Sequence, residues 1–174
     1  MEALYNSDMN LAETQKERSV DLKRATWCFL LKDDSTLLLA MKKQGFGEGF
    51  WNASGGKVLE GEDPVEAAAR EVCEELNVVV SDLVHVATIE FYFKNRPEFG
   101  QRVFGYITKK WKGEPEETEE MAPAWFKYDE IPYDQMWADD RIWLPMVLDG
   151  QKIEGEFLFG DNNDIIEYNI RVIS

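Results

Sequence analysis

Short apolar runs separated by polar turns recur along the chain, which is the pattern typical of β-strands. The runs lie at 26–31, 37–41, 84–93, 102–108, 124–128, 153–159 and 165–173. The polar residues between the first two runs predict that these strands form a hairpin. The strand at 84–93 places Ile89, Phe91 and Phe93 on one side of the pleat, and the run at 102–108 is expected to return as its neighbour.

One segment repeats its apolar residues at helical spacing instead. Asp63 suits a helix N-cap, Pro64 suits the first helical position, and Asn77 suits the left-handed residue that ends a helix. Between them a core-facing stripe is predicted from Val65, Ala68, Ala69, Val72 and Leu76. We therefore expect one well-defined amphipathic helix in this segment.

The remaining pattern predicts the overall organisation. A second helix is expected at 141–148, capped by Asp139 or Asp140, and the polar stretch 109–121 predicts a loop. Because strands outnumber helices and connections are short, we expect an α+β fold with helices packed on the faces of a mixed sheet. Residues 1–23 predict a flexible, frayed or loosely helical extension, with docking onto a partner subunit as the alternative, and 24–174 predict one domain.

Composition narrows the classes of partner. A net charge of −15 would repel nucleic-acid backbones, so no polymeric nucleic acid is expected as a partner. No apolar run reaches membrane-spanning length, and the N-terminus lacks an apolar signal core, so we expect no membrane partner. Cys28 and Cys73 fall within predicted elements without metal-ligand spacing, which favours free thiols and a cytoplasmic location.

The first helix carries three acids on one side. Glu71, Glu74 and Glu75 are related by three and four positions, so their like charges repel and weaken an isolated helix. A bound divalent cation reverses this effect, because Mg²⁺ prefers oxygen ligands from carboxylates and substrate phosphates. Arg70 can pair with Glu74 or another nearby carboxylate. The alternative interpretation is an acidic, solvated helix face, which is what most charge runs are.

The stretch GGKVLEGEDPVEAAAREVCEELNV, from Gly55 to Val78, resembles the Nudix box, G-x5-E-x7-R-E-U-x-E-E-x-G-U. Asn77 replaces the usual glycine near its end, and Asn tolerates positive φ, so the turn is expected to survive. The resemblance implies a Nudix-type α/β/α sandwich. It also implies a pyrophosphohydrolase that uses Mg²⁺, or Mn²⁺ in its place, on a nucleoside diphosphate linked to another group.

The same resemblance implies the residues that hold metal and substrate. The metal ligands implied are Gly56, Glu71, Glu74, Glu75 and Glu120. Arg70 holds a carboxylate, and either Glu75 or Glu120 acts as general base, a choice that the sequence leaves open. The residues implied to contact the substrate phosphates are Lys42, Gly55, Gly56 and Lys57.

Segments outside the box resemble a narrower branch, the MutT-homologue hydrolases of oxidised purine nucleoside triphosphates. The matching residues are Met41-Lys42-Lys43, Gly45-Phe46-Gly47, Trp51-Asn52, Glu120-Met121, Trp125-Phe126, Met136-Trp137 and Asp139-Asp140. This likeness implies base-edge recognition by Asn52, Asp139 and Asp140, stacking by Trp137, and a pocket lined by Phe46 and Phe91, with Thr26 as a weaker candidate. Packing against the core is the alternative for Phe46, and helix capping is the alternative for the aspartates.

The implied activity has two rivals. The first is the same chemistry on a dinucleoside polyphosphate, a sugar nucleotide or ADP-ribose, and the second is a module that binds nucleotides without cleaving them. The intact set of box glutamates disfavours the second. In each case the partner is a small-molecule nucleotide. We expect a monomer, with a dimer as the alternative.

Overall fold

The computed structural model describes residues 10–19 and 22–174, which contain three α-helices and ten strands. The helices are α1 (Leu11–Arg18), α2 (Pro64–Leu76) and α3 (Asp140–Leu148). The strands are β1 (Lys23–Leu30), β2 (Thr36–Lys42), β3 (Trp51–Asn52), β4 (Val79–Ser81), β5 (Val84–Phe93), β6 (Gln101–Thr108), β7 (Lys110–Lys112), β8 (Met121–Lys127), β9 (Lys152–Phe159) and β10 (Ile165–Ile173).

The strands form one large mixed sheet and two small ones. The large sheet has the order β1-β6-β5-β9-β10, in which β1 runs parallel to β6 and β5 parallel to β9. The other two neighbouring pairs of this sheet are antiparallel. The small sheets are β3-β2-β8 and β4-β7. The mixed sheet and the return of β6 along β5 confirm the α+β prediction.

Two hydrophobic cores lie on opposite sides of β1 and β2. Phe29 and Leu31 pack into the core that contains α3, whereas Cys28 and Leu30 pack into the core that contains α2. Neighbouring residues of a strand point to opposite faces, so a strand buried on both faces must be apolar throughout. The continuous apolar runs of β1 and β2 therefore place a helix on each side of this layer.

The predicted hairpin of the first two strands is wrong. β1 pairs with β6 and β2 pairs with β3 and β8, and a single bridge between Leu31 and Leu37 joins the two strands. The predicted turn between them is present, and in it the Asp33 carboxylate accepts a hydrogen bond of 2.8 Å from the Ser35 N–H. The turn leads the chain into another sheet rather than back along the same one. The predicted loop at 109–121 also contains a strand, β7, which pairs with β4.

The N-terminal segment, predicted as a frayed or loosely helical extension, contains a helix in its described part. Residues Leu11–Arg18 form a helix that begins with a capping box between Asn10 and Glu13. Leu11 is buried against Tyr92 and Leu158, so long-range packing stabilises a helix whose own pattern is weak. Residues 1–9, 20 and 21 of the predicted extension lie outside the described residues, and the domain boundary stays a prediction. None of the described helices is long and apolar enough to cross a membrane.

Candidate active site

The acidic helix α2 begins and ends as its sequence predicts. The Asp63 carboxylate accepts a hydrogen bond of 3.1 Å from the Val65 N–H, and Pro64 occupies the first turn. Asn77 ends the helix in the left-handed conformation, with φ 58° and ψ 33°, so it performs the role of the usual glycine. Val65 is exposed and Ala67 is buried in its place, which shifts the buried stripe from the predicted one.

Arg70 gathers the acids of this helix. Its Nε and Nη2 donate to the two carboxylate oxygens of Glu62 at 2.8 and 3.0 Å, a bidentate pair. Its Nη1 donates to Glu71 at 2.8 Å and to Glu74 at 3.3 Å, and its Nη2 also donates to the Lys57 carbonyl at 3.0 Å. The hydrogen bonds that Arg70 donates to Glu62 lower the pKa of Glu62 to about 2. The arginine thus joins the loop before α2 to two of the predicted metal ligands.

The glycine pair lets the backbone approach closely on both of its sides. A Cβ atom at Gly56 would lie 2.5 Å from the Glu71 carboxyl carbon, and one at Gly55 would lie 2.0 Å from the Thr26 carbonyl oxygen. The Gly56 carbonyl accepts a hydrogen bond of 2.8 Å from the Thr26 N–H. Gly55 therefore excludes a side chain by contact with backbone atoms, and a side chain at Gly56 would displace the Glu71 carboxylate.

Glu75 differs from its neighbours because it is buried, with only 5% of its surface exposed. Its Oε2 accepts hydrogen bonds from the Ser54 hydroxyl at 2.7 Å and from the Gly55 N–H at 2.9 Å. Burial raises the pKa of Glu75 to about 7, and these two hydrogen bonds and the charge of Lys42 limit the rise. A carboxyl that titrates near neutral pH is suited to accept a proton from water. Sequence reasoning missed Ser54, whose only signal is its position directly before the glycine pair.

Glu120 lies in the exposed loop before β8. Two contacts fix this loop: the Glu120 carbonyl accepts a hydrogen bond of 2.9 Å from the Lys43 N–H, and the Thr118 hydroxyl donates to the Glu75 carbonyl at 2.9 Å. The second contact ties the loop to the end of α2. The Glu120 carboxylate has no hydrogen bond or ion pair with the described residues, so it is available to a ligand.

The residues of this region fit a divalent cation by the type of donor they offer. Carboxylate and carbonyl oxygens are the ligands that Mg²⁺ and Mn²⁺ prefer. Within the described parts of the chain, however, no three His, Cys, Asp or Glu side chains are already grouped to hold an ion. Glu71 and Glu74 bind Arg70, and Glu75 binds Ser54 and Gly55. Arg70 contacts one carboxylate oxygen of Glu71 and one of Glu74, so the second oxygen of each is left for a cation while Arg70 stays in place.

A second cluster is aromatic and is built around Phe46. The Phe46 ring stacks on Phe99 with a centroid distance of 4.6 Å and lies 5.1 Å from the Trp137 ring. Phe93 meets Phe46 edge-on at 6.0 Å, and Phe50 meets Trp137 edge-on at 5.2 Å. Phe46 is 40% exposed, so its ring is open to a ligand as well as packed.

A cavity of about 350 Å³ lies beside this cluster, and its wall includes Phe50, Tyr133, Trp137, Arg141, Asn162 and Asn163. Phe91, the other predicted pocket residue, packs instead on Phe157 at 5.8 Å and on Phe159 at 6.2 Å. Phe159 in turn contacts Trp137, so Phe91 is linked to the aromatic cluster through Phe159. Sequence reasoning did not identify Phe99 as a member.

Asp139 and Asp140 are both buried, with 2% and 7% of their surfaces exposed. The Asp139 Oδ2 accepts a hydrogen bond of 2.7 Å from the Trp143 indole N–H, while its buried Oδ1 has no partner in the described structure. The Asp140 Oδ2 accepts a hydrogen bond of 3.1 Å from the Trp137 N–H. Burial raises the pKa of Asp139 to about 6 and the pKa of Asp140 well above its ordinary value, and the neighbouring Asp139 charge adds to the second rise.

The predicted capping of α3 by an aspartate is wrong. Asp139 occupies the N-cap position, but its side chain makes no capping hydrogen bond. Its carboxylate is bonded to Trp143 on the buried side of the helix. Two adjacent buried carboxyls resist double ionisation, so the pair offers a hydrogen-bond donor as well as acceptors.

The other predicted ligands lie around these two clusters. The Asn52 Nδ2 donates weakly to the Phe50 carbonyl at 3.4 Å, and no hydrogen bond joins Asn52 to Asp139 or Asp140 in the described structure. Thr26 is buried beside Gly55, and no described residue is a hydrogen-bond partner of its hydroxyl. Lys57 is exposed.

Comparison with known protein families identifies the family to which this chain belongs. A family profile described as NUDIX domain matches residues 21–147, which include α2, the glycine pair and both aspartates. The chain belongs to the Nudix family. The matched residues begin after α1 and end within α3.

Relatives of this Nudix chain carry names that describe their activity. The chain is 41% identical over 144 residues to an oxidized purine nucleoside triphosphate hydrolase of Mus musculus, covering 83% of this chain and 92% of that protein. A protein of the same name from Danio rerio is 40% identical over 141 residues, covering 81% of this chain and 90% of that protein. Among solved structures, a MutT protein from Bacillus halodurans has a TM-score of 0.75 at 25% identity, covering 86% of this chain and 97% of that one.

Proposed function

We propose that this Nudix protein is a Mg²⁺-dependent pyrophosphohydrolase that clears oxidised purine nucleoside triphosphates to the monophosphate and pyrophosphate. The observation that carries the choice of substrate is the buried Asp139–Asp140 pair, in which one oxygen has no partner in the described structure. A buried acceptor without a partner is unfavourable unless a ligand satisfies it. The two vertebrate relatives bear names that match this activity.

The base is held by stacking and edge recognition. Phe46 and Trp137 offer ring faces to a flat purine, and Asn52 with Asp139 and Asp140 offers donors and acceptors to its edge. An 8-oxo purine carries a proton on N7 where guanine has a lone pair. In a carboxyl pair that shares one proton, the ionised carboxyl can accept a hydrogen bond from this N7–H, which guanine does not offer.

The hydrolytic residues lie on and around α2. A divalent cation, when bound, neutralises the phosphates and lowers the pKa of water. Glu71, Glu74 and Glu75 would hold it, with Glu120 and the Gly56 carbonyl as further ligands, while Arg70 keeps the helix and the preceding loop together. Glu75 or Glu120 takes the proton from the attacking water. Lys42 and Lys57 attract the phosphate oxygens as point charges.

We further propose that the protein acts as a cytoplasmic monomer on free nucleotides. The net charge of −15 disfavours polymeric nucleic acid as a partner, which supports a small nucleotide instead. Metal binding then also reduces the repulsion between this acidic surface and a triphosphate.

The decisive experiment compares kcat/KM for 8-oxo-dGTP, 2-oxo-dATP and dGTP in the presence of Mg²⁺. We expect at least one oxidised nucleotide to exceed dGTP by roughly tenfold or more, because polar pockets reject a mismatched edge strongly. ADP-ribose, a sugar nucleotide and a dinucleoside polyphosphate complete the panel. A higher kcat/KM for one of these would overturn the substrate assignment. Tight binding without turnover would show a nucleotide-sensing module instead of an enzyme.

A further inference from the structure

Arg96 has contacts that the proposed hydrolysis does not use. It lies in the connection between β5 and β6, directly before the short 3₁₀ turn Pro97–Phe99. Its guanidinium carbon lies 5.4 Å from the centroid of the Phe93 ring and 5.5 Å from that of the Phe99 ring. A planar guanidinium at this distance attracts aromatic rings and orders them.

The same guanidinium reaches across to another part of the chain. Its Nη2 donates to the Asn163 Oδ1 at 2.6 Å, and Asn163 lies in the connection between β9 and β10. Two further hydrogen bonds join these connections: Asn95 Nδ2 to Asp161 at 2.8 Å, and the Lys94 N–H to the Phe159 carbonyl at 2.9 Å. Asn163 also lines the cavity beside Trp137. Arg96 therefore connects the cavity wall to the rings of Phe93 and Phe99.

The position of Phe46 depends on these rings. Phe46 lies on a loop in which Gly45, Gly47 and Gly49 all have positive φ values, so the loop backbone has access to conformations that other residues rarely adopt. Its ring is placed by the stack on Phe99, with an angle of 9° between the ring planes, and by the edge contact with Phe93. Both of these rings lie under the Arg96 guanidinium.

We propose that Arg96 is a positioning residue that holds the Phe99–Phe46 stack at a fixed separation from Trp137 and thereby determines how tightly a flat base is bound. This inference rests on the proposed function only in that the aromatic cluster binds the base. Arg96 acts through Phe93, Phe99 and Asn163, and it takes no part in breaking the phosphoanhydride bond.

The test measures KM and kcat separately for the Arg96→Ala variant. It uses whichever nucleotide the unmodified protein hydrolyses with the highest kcat/KM, so a different preferred base overturns the proposed function and leaves this test intact. We expect KM to rise roughly fivefold to 20-fold while kcat changes less than about twofold, because the lost interaction is with the base in ground and transition states alike. Arg96→Lys keeps a cation but lacks the planar guanidinium. Its KM should therefore lie between that of the unmodified protein and that of Arg96→Ala.

Two further sets of variants test the role of Arg96: a double variant with Asn163, and a control variant at another arginine. The Arg96→Ala and Asn163→Ala effects on KM should be less than additive in the double variant, because each breaks the same hydrogen bond. Arg171→Ala, which removes an exposed arginine paired with Glu154 on β9, should leave KM unchanged. An unchanged KM in Arg96→Ala, with or without a lower Tm, would overturn the proposal. So would a fall in kcat at constant KM.

Discussion

The carboxyls of this protein differ in proton affinity because their surroundings differ. Glu62 receives a bidentate pair from Arg70, which lowers its pKa to about 2 and keeps it charged. Glu75, near the end of α2, is buried instead, and burial raises its pKa to about 7. Glu62 is thereby suited to hold Arg70, and Glu75 is suited to exchange a proton near neutral pH.

Replacing Glu75 by Gln is expected to remove most of the activity and to preserve the fold. The amide oxygen can still accept hydrogen bonds from Ser54 and Gly55, and the variant no longer has to bury a charge above neutral pH. We predict a fall in kcat of roughly 10²- to 10⁴-fold, the usual contribution of a general base or ligand. Steady-state kinetics with Mg²⁺ and a thermal unfolding curve measure both effects.

The matched control for this prediction is Glu66→Gln, which alters an exposed acid in the first turn of the same helix. Its kcat should equal that of the unmodified protein. A Glu75→Gln variant with full activity would remove Glu75 from the mechanism and leave Glu120 as the general base.

The burial of Asp139 makes stability depend on pH in a defined direction. Its pKa is raised from 3.8 to about 6, so between these values the folded state binds more protons than the unfolded state. The free energy of unfolding therefore loses this contribution as pH rises through that window. In Asp139→Asn the side chain cannot ionise, so its stability relative to the unmodified protein should increase from pH 4 to pH 7. Urea unfolding at several pH values measures the difference, and a difference independent of pH would contradict the prediction.

At the scale of elements, α1 shows how a weak pattern becomes an ordered helix through contacts with the sheet. The Leu11 N–H donates to Glu167 on β10 at 2.8 Å, and the Arg18 guanidinium donates to the Phe93 carbonyl on β5 at 3.1 Å. Tyr92 and Leu158 supply the apolar surface that Leu11 covers. The helix thus covers the large sheet near the strand that carries Phe93.

Leu11→Ala is expected to destabilise the protein by about 2 kcal/mol, at the low end for a buried leucine because a short helix can undock and relieve the cavity. The free energy of unfolding from urea titration measures this loss. Lys16→Ala, an exposed change on the same helix, should stay within about 0.5 kcal/mol of the unmodified protein. Equal stability of the two variants would show that α1 does not dock in solution.

At the scale of the whole molecule, the fold and the metal chemistry are separable. Both large cores are built from apolar side chains, including those on the buried faces of α2 and α3. The apolar burial that drives folding therefore does not depend on an ion. A bound cation adds only the free energy of its own binding to the folded state.

Chelation by EDTA is expected to abolish hydrolysis and leave the far-ultraviolet circular dichroism spectrum unchanged. Saturating Mg²⁺ should raise Tm, because an ion that binds only the folded state adds about 2.7 kcal/mol at a concentration 100 times its Kd. The same titration on the Glu75→Gln variant should give a smaller rise. Unfolding on chelation alone would show that the metal is structural and contradict this separation.

The amino-acid sequence by itself determined the features that depend on neighbours within a few positions. The caps of α2 at Asp63 and Asn77, the shared side of Glu71, Glu74 and Glu75, and the paired strands β5 and β6 were all predictable. Helix periodicity, capping and strand alternation are local properties, so they can be read from spacing alone.

Tertiary structure decided the features that need contacts distant in sequence. It buried Glu75 against Ser54, assigned Arg70 to Glu62 as well as Glu74, and separated the expected hairpin into two sheets. It also joined Arg96 to Asn163, 67 positions away. Desolvation and ring packing depend on which segments meet in space, and a carboxyl's pKa follows from that burial, so no local pattern in the chain could determine them.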